Sequence, residues 1–344
     1  MATNKRKEVK TDYGALVRHL KEEGPKNIYM LWGAEDYLTE NYFQEIKKLC
    51  VGNGSDFNYH RLDGALPDFQ KLAEAVESVP FLSDRTLVEV RGFEPNGLKD
   101  SKVQELKEII QDIPDYCTVV FILPTGYTPD GRLSIIKAVK KIGEAIEFTA
   151  QPHNLLIRWI KKRFAALGKN IGDRECERLI FISGELMNRL VPEIEKISGY
   201  INGDNVTIDD IDKLAQHIPE ADVFIMTEKL STRDFDGALA LTAELLHSGE
   251  HPIMLLAVIG MQFRRLYLVK VAMEAGKKRN DIMDIIGMKY PSIVEKIMQS
   301  CRGFTLERLA LALELCAECD YKMKSSSADD DELLKELILK IAVG

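Results

Sequence analysis

The run NIYMLWG, Asn27–Gly33, decides how the first part of this 344-residue sequence folds. It is a short, continuous apolar stretch that ends at a glycine, which is typical of a strand buried on both faces of a parallel sheet. The run TVVFIL, Thr118–Leu123, has the same character, and weaker strand patterns occur at Phe57–Leu62, Thr86–Val90 and Ala145–Phe148. These runs together predict the strands of one sheet.

Helical patterns separate the predicted strands. Apolar residues recur three and four positions apart in each intervening segment: at Tyr42, Ile46 and Leu49, at Phe69, Leu72, Ala73 and Val76, across Val103–Ile110, and across Leu133–Ile142. Strands that alternate with helices predict a parallel sheet covered on both faces. We therefore expect an α/β domain over residues 1–150.

The strand patterns stop after Pro152, and a helical region follows. Thr207-x-x-Asp210 has the pattern of a helix N-cap. Apolar residues at helical spacing predict a bundle of about three to five helices over residues 151–217. They are Leu155, Trp159, Phe164 and Leu167, followed by Leu186, Leu190, Ile194 and Ile197.

Longer helical patterns fill residues 218–344, which predict a second all-α domain. Asp329–Asp331 precedes the last of these patterns and is well placed to cap a helix. The predicted helices are Phe235–His247, Pro252–Ala275, Pro291–Cys301, Thr305–Tyr321 and Asp331–Ala342.

Composition and charge exclude some classes of protein. Hydrophobic residues make up 45% of the chain and charged residues 29%, which is ordinary for a globular protein. A net charge of −8 excludes a protein that coats nucleic acid by charge alone. Local basic clusters remain candidates for DNA contact, although each is more simply interpreted as a solvated surface: Lys161-Lys162-Arg163, Arg264-Arg265 and Lys277-Lys278-Arg279.

Targeting patterns are weak in this sequence. Lys5-Arg6-Lys7 is basic but has no apolar run behind it, so a signal peptide is not predicted. The longest uninterrupted apolar run, Ile253–Gly260, is shorter than the ~20 residues that cross a bilayer. We expect a cytoplasmic protein without a membrane partner.

The turn after the first predicted strand is where an α/β domain holds a nucleotide phosphate, because N–H groups at the start of the next helix point at the anion. Here it reads GAEDYLT, Gly33–Thr39, without a second glycine or a Lys-Ser/Thr pair. Glu35 and Asp36 place negative charge where phosphate needs donors. The strands that end at Val90 and Leu123 lack a following Asp-Glu pair to hold magnesium. We expect no nucleotide, metal or other cofactor.

Other catalytic interpretations are also weak. Cys316-x-x-Cys319 lies within the predicted helix Thr305–Tyr321, whereas a redox motif favours a helix start and zinc needs two more ligands. Buried, packed thiols explain this pair better. His247 and His251 have the spacing of a metal-binding pair, but a glycine and a proline interrupt the helix there. The sequence predicts no catalytic residue.

Short motifs in a fixed order carry a resemblance over roughly 300 residues. The chain resembles the delta subunit family of bacterial DNA polymerase III in its Gly-x-Glu-x-x-Leu turn, in a Ser-Asp-Arg before a strand, and in a Gln-Phe-Arg within a long helix. The matching segments are Gly33–Leu38, Val79–Val90, Asp130-Gly131-Arg132, Glu193–Ile197 with Tyr200, Gly249–Pro252 and Gln262-Phe263-Arg264. Ile197 replaces a leucine that is usual in the family, a change that packing tolerates.

The resemblance implies a fold and a set of partners. It implies an AAA+-like, RecA-like domain without a working ATP site (1–150), a helical lid (151–217) and a helical collar that assembles the complex (218–344). The implied function is a non-catalytic clamp loader subunit of the DNA polymerase holoenzyme, which binds and opens the sliding clamp (beta subunit). Its implied partners are gamma or tau and delta prime subunits in a hetero-pentamer, and primed DNA through the assembled loader.

The resemblance also implies a binding site. The clamp-binding element of the family falls on Phe81 and Leu82, with Val79 and Pro80 beside them. Pro80 is unfavourable inside a helix, so we expect this pair at a helix end on the surface. Spacing alone favours core residues instead. A divergent AAA+ ATPase and an AAA+-derived adaptor for DNA repair or helicase loading remain alternative functions.

Overall fold

The structure is a computed structural model that describes residues 12–52 and 56–343. The basic segment Lys5–Lys7 lies outside the described residues. In the described part, strands form one five-stranded parallel sheet in the order β2-β3-β4-β1-β5. The strands are β1 (Ile28–Gly33), β2 (Tyr59–Asp63), β3 (Thr86–Arg91), β4 (Cys117–Ile122) and β5 (Glu144–Phe148).

Six helices belong to this first part of the chain or lead out of it. They are α1 (Tyr13–Glu23), α2 (Asp36–Val51), α3 (Phe69–Glu77), α4 (Asp100–Gln111), α5 (Ser134–Ile142) and α6 (His153–Ala166). The predicted strand-helix alternation and the parallel sheet are confirmed. Helix α1 was not predicted, and Asp12 caps it by accepting hydrogen bonds from two backbone N–H groups.

Both faces of the sheet are buried, which explains the continuous apolar strands. On one face, Met30 and Val119 pack with residues of α3, α4 and α5 in a single core. On the other face, the Tyr29 ring meets the Tyr42 ring of α2 at 6.2 Å between centroids. Alternate side chains of β1 therefore pack against helices on opposite faces of the sheet, as expected for a central parallel strand.

The strand predicted at Phe57–Leu62 begins two residues later than expected. A short 3-10 turn, Asp56–Asn58, comes first, and β2 begins at Tyr59. Its register pairs Tyr59 with Leu87 of β3. This places Phe57 before the sheet, at the edge where the parallel strands begin.

The remaining residues are helical. Helices α7 (Asp173–Ser183), α8 (Met187–Tyr200) and α9 (Ile208–Leu214) follow α6, and the predicted cap Thr207 is confirmed by a reciprocal capping box with Asp210. Then come α10 (Pro219–Ser231), α11 (Phe235–His247), α12 (Pro252–Glu274), α13 (Arg279–Ile286), α14 (Pro291–Ser300), α15 (Leu306–Ser325) and α16 (Asp330–Val343). The bounds of α10 and the existence of α13 were not predicted. Asp329 caps α16 as predicted.

Helix α12 is the centre of the last helical core. Its inward side chains, among them Leu255, Ile259 and Phe263, lie in one apolar cluster with residues of α10, α14, α15 and α16. By length and composition alone, α12 is also the one helix among the described residues that is long and apolar enough to cross a membrane. The uninterrupted apolar run Ile253–Gly260 is too short to indicate this property by itself. Its inward side chains, which are buried in the cluster, account for part of this apolar composition.

The chain divides into two compact units. The first comprises Met1–Gln151 with Leu186–Asn188, and the second comprises Pro152–Glu185 with Arg189–Gly344. Within the second unit, the Phe181 ring of α7 packs against the Phe224 ring of α10 at 5.0 Å. The finer division into a lid (151–217) and a collar (218–344) stays a prediction.

Candidate functional site

The segment between α3 and β3, Ser78–Arg85, is named the 78–85 loop and contains the predicted site residues Val79, Pro80, Phe81 and Leu82. Helix α3 ends at Glu77, so the predicted pair follows the helix and lies in irregular backbone. Because β3 starts at Thr86, the loop lies at the amino-terminal edge of the sheet.

Apolar side chains of the 78–85 loop face solvent. Val79 is 73% exposed, Phe81 62% and Leu82 93%, while Pro80 is half-buried. Folding therefore removes little of their apolar surface from water. The alternative that Phe81 and Leu82 are core residues is wrong.

Asn58 holds the 78–85 loop in place. Its side chain is fully buried, its Nδ2 donates to the Phe81 carbonyl at 2.8 Å, and its Oδ1 accepts from the Phe81 N–H at 2.7 Å. Ser83 adds a hydrogen bond to the Arg85 carbonyl at 3.3 Å. A buried amide that satisfies both polar groups of one residue fixes that residue more tightly than a single bond does.

The backbone at Leu82 is strained. Its φ is +53°, in the left-handed region that bulky side chains rarely adopt. Among the described residues, only Leu82 and Arg233 combine a side chain with this conformation. A large apolar side chain is thus held in a costly conformation while it faces solvent, a combination that packing within the chain does not explain.

The Gly33–Thr39 turn lies at the opposite, carboxyl-terminal edge of the sheet. Gly33 has φ +135°, and a Cβ there would lie 2.0 Å from the Phe148 carbonyl oxygen, so this glycine serves the contact with β5. Glu35 is fully buried, and its carboxylate accepts hydrogen bonds from the Met187 N–H at 3.2 Å. Asp36 accepts from the Thr125 hydroxyl at 2.6 Å. Two carboxyl groups, each bonded to another part of the chain, therefore lie at the start of α2, where a phosphate would need hydrogen-bond donors.

The Cys316–Cys319 pair lies on the inner side of α15. Both thiols are buried, and burial raises the pKa of Cys316 to about 12 and raises that of Cys319 as well. Thiols with raised pKa values stay protonated near neutral pH and react slowly. Packing, as predicted, is the role that the structure supports. In the described part of the chain, His, Cys, Asp and Glu side chains form no group of three or more that could hold a metal ion.

Members of the basic clusters contact acidic or polar groups of the protein. Lys161 pairs with Asp173 at 2.5 Å, and Arg279 pairs with Glu295. Arg265 is half-buried and donates to the Gln262 side chain at 3.0 Å. These contacts agree with the simpler interpretation of the clusters as surface residues and leave their role in DNA contact untested.

Two models of one protein family match this chain. The family model for "DNA polymerase III, delta subunit" matches residues 29–151, and that for "DNA polymerase III delta subunit, C-terminal domain" matches residues 220–341. The chain belongs to the DNA polymerase III delta subunit family. This membership supports a clamp-loader role in DNA replication, in a complex with other loader subunits.

Individual relatives cover nearly the whole chain. The DNA polymerase III subunit delta of Bacillus subtilis is 28% identical over 337 residues, which are 94% of this chain and 95% of the relative. A probable delta subunit of Aquifex aeolicus is 21% identical, over 91% of this chain and 90% of the relative. The solved structure of the B. subtilis DNA clamp loader delta protein matches with a TM-score of 0.51 and 26% identity, covering 96% of this chain and all of that one. The predicted AAA+-like fold class is confirmed.

One exposed aromatic residue was missed by the sequence patterns. Phe57 is 79% exposed, and its ring meets the Phe81 ring at 6.2 Å between centroids, at an angle of 66°. The strand pattern at Phe57–Leu62 includes this residue, although β2 begins at Tyr59. Its neighbour Asn58, whose buried amide holds Phe81, carries no recognisable sequence signal.

Proposed function

We propose that this delta-family chain is the clamp loader subunit that binds and opens the DNA sliding clamp, so that the ring can be loaded on primed DNA. It does so without catalytic activity of its own, in the cytoplasm, within the DNA polymerase III holoenzyme. Val79, Pro80, Phe81 and Leu82 form the clamp contact.

The observation that carries the proposal is the exposure of Phe81 and Leu82 on a loop that Asn58 fixes. Adjacent large apolar side chains on a rigid support are what a hydrophobic pocket of a partner binds best. Burying both side chains contributes about 3–6 kcal/mol. Micromolar binding corresponds to about 8 kcal/mol, so these two side chains supply a large part of it and a polar rim supplies the rest.

Clamp opening follows from binding energy. Glu35 and Asp36 leave the start of α2 unsuited to phosphate, so the energy for opening does not come from ATP bound by this chain. A partner that fits the open ring better than the closed ring shifts the clamp toward the open form. ATP binding by neighbouring loader subunits would then control access to the 78–85 loop.

A direct test uses clamps that already encircle nicked circular DNA. Adding the full-length chain should release them, whereas the Phe81→Ala, Leu82→Ala double variant should leave them on the DNA. Leu66→Ala is the matched control, because Leu66 is an exposed leucine that follows β2, at the other edge of the sheet. Release by the double variant at the unchanged rate would refute this contact.

We further propose that the predicted collar, 218–344, binds gamma or tau and delta prime subunits in a hetero-pentamer. Helix α12 has an inward face in the core and an outward face with exposed Met254 and Met261, two turns apart. Exposed apolar side chains in one stripe are typical of protein interfaces.

Point variants test assembly better than truncation at Ile218, because the packed Phe181 and Phe224 rings would be exposed by the cut. Met254→Asp with Met261→Asp should prevent co-elution with the other loader subunits and leave clamp binding intact. Tyr321→Asp, an exposed aromatic residue on α15, is the control. Co-elution of the double aspartate variant would contradict the role given to α12.

A further inference from the structure

The 3-10 turn Asp56–Asn58 lies beside the 78–85 loop for a topological reason. The turn leads into β2 and the loop leads into β3, and these neighbouring strands are parallel with Tyr59 paired to Leu87. Segments that precede adjacent parallel strands meet at the same edge of a sheet. Residues far apart in sequence are thereby brought together.

The side chain of Phe57 continues the apolar surface of the loop. It is 79% exposed, and its ring packs edge-on against the Phe81 ring at 6.2 Å. With Val79 and Leu82, two exposed rings and two exposed aliphatic groups share this edge. Single exposed apolar residues are common, but a contiguous group of this kind marks an interaction surface.

Asn58 links the two segments through the backbone of Phe81. Its amide pairs with both the N–H and the C=O of that residue while its own side chain is fully buried. The neighbouring Leu82 is kept at φ +53°. The amide thus sets the position of Phe81 and the conformation in which Leu82 is presented.

We propose that the Asp56–Asn58 turn is the second half of the clamp-contact surface: Phe57 binds the sliding clamp together with Phe81 and Leu82, and Asn58 is the positioning residue for that contact. This inference rests on the proposed function. The occupant is the clamp because the Phe57 ring is continuous with the residues proposed to enter its pocket. A surface built from two segments selects the shape of its partner more strictly than a single dipeptide.

The test for Phe57 is clamp affinity measured on the full-length chain. Phe57→Ala should weaken binding to the cognate clamp about tenfold, or 1.4 kcal/mol, with an unchanged melting temperature. Leu66→Ala should change neither quantity. Because the two rings touch, Phe57→Ala and Phe81→Ala should be non-additive in a double-mutant cycle, whereas Phe57→Ala and Leu66→Ala should add.

The role of Asn58 must be tested with a measurement that does not change when the protein is merely destabilised. Asn58→Asp retains the size of the side chain and the acceptor for the Phe81 N–H, but sets a carboxylate against the Phe81 carbonyl. Clamp affinity should fall at least tenfold, and this loss should largely vanish when Phe81 is already alanine. An equal loss in both backgrounds would show a merely structural role and overturn the positioning assignment.

The outcomes separate the two levels of the proposal. If Phe81→Ala with Leu82→Ala binds the clamp as well as the unchanged chain does, the proposed function and this inference both fail. If that double variant binds weakly while Phe57→Ala binds normally, the proposed function stands and the inference fails. Weak binding by both variants, with unchanged melting temperatures, supports both.

Discussion

The two edges of the parallel sheet have opposite characters. At the carboxyl-terminal edge, where α/β proteins usually bind ligands, the Gly33–Thr39 turn is filled by the chain's own polar contacts from Met187 and Thr125. At the amino-terminal edge, Phe57, Val79, Phe81 and Leu82 leave apolar side chains in solvent.

Side chains at the two edges contribute differently to the stability of the fold. Glu35 at the first edge is fully buried, and its hydrogen bonds stabilise the fold. Phe81 and Leu82 at the second edge add little to the fold, and Leu82 is held at a conformational cost. Removing the buried carboxylate of Glu35 should therefore lower stability, and truncating Phe81 and Leu82 should mainly lower partner affinity.

The largest expected effect is on clamp affinity. Phe81→Ala combined with Leu82→Ala removes most of the apolar area at the proposed contact, so affinity should fall at least ~100-fold, which corresponds to about 2.7 kcal/mol. The melting temperature should barely change, because both side chains are exposed. Both quantities are measured on one preparation. A strongly lowered melting temperature with clamp binding retained would reverse the roles assigned to the two edges.

This contrast was only partly predictable from sequence. The apolar runs at Asn27–Gly33 and Thr118–Leu123 identify central strands because both faces of those strands are buried. The spacing of Phe81 and Leu82 alone favours core residues, whereas the neighbouring proline and the family resemblance both favour the surface. Phe57 and Asn58 are not indicated by the sequence, because the role proposed for them depends on the pairing of β2 with β3, a long-range contact that local patterns do not encode.

The next effect concerns the buried carboxylate at the carboxyl-terminal edge. Glu35→Gln removes the charge that accepts from the Met187 N–H, and we expect a loss of about 1.5–3 kcal/mol in the free energy of unfolding. Urea denaturation measures it. Asp36→Asn, the partly exposed neighbour, should cost less, since water can replace its contact with Thr125. If both variants lost the same free energy of unfolding, burial would not explain a difference between the two carboxylates.

A smaller effect is expected at Leu82, with a gain in stability and a loss in binding. Asparagine tolerates left-handed backbone better than leucine does, so Leu82→Asn should raise the free energy of unfolding by about 0.5–1 kcal/mol. It should also weaken clamp binding, because the apolar side chain is gone. Arg233→Asn is the matched control at φ +64° in the other unit. It should stabilise similarly and leave clamp affinity unchanged.

We expect no measurable heat of binding when the full-length chain is titrated with MgATP. Glu35 precedes the first turn of α2 and Asp36 lies in it, so two carboxyl groups stand where phosphate would need hydrogen-bond donors. Asp36 is in addition held by the Thr125 hydroxyl, so a rearrangement that admits phosphate must break this bond. Calorimetry on the full-length chain, with a P-loop ATPase as positive control, measures the interaction. Micromolar binding would contradict the contrast between the edges and restore the divergent ATPase as the better function.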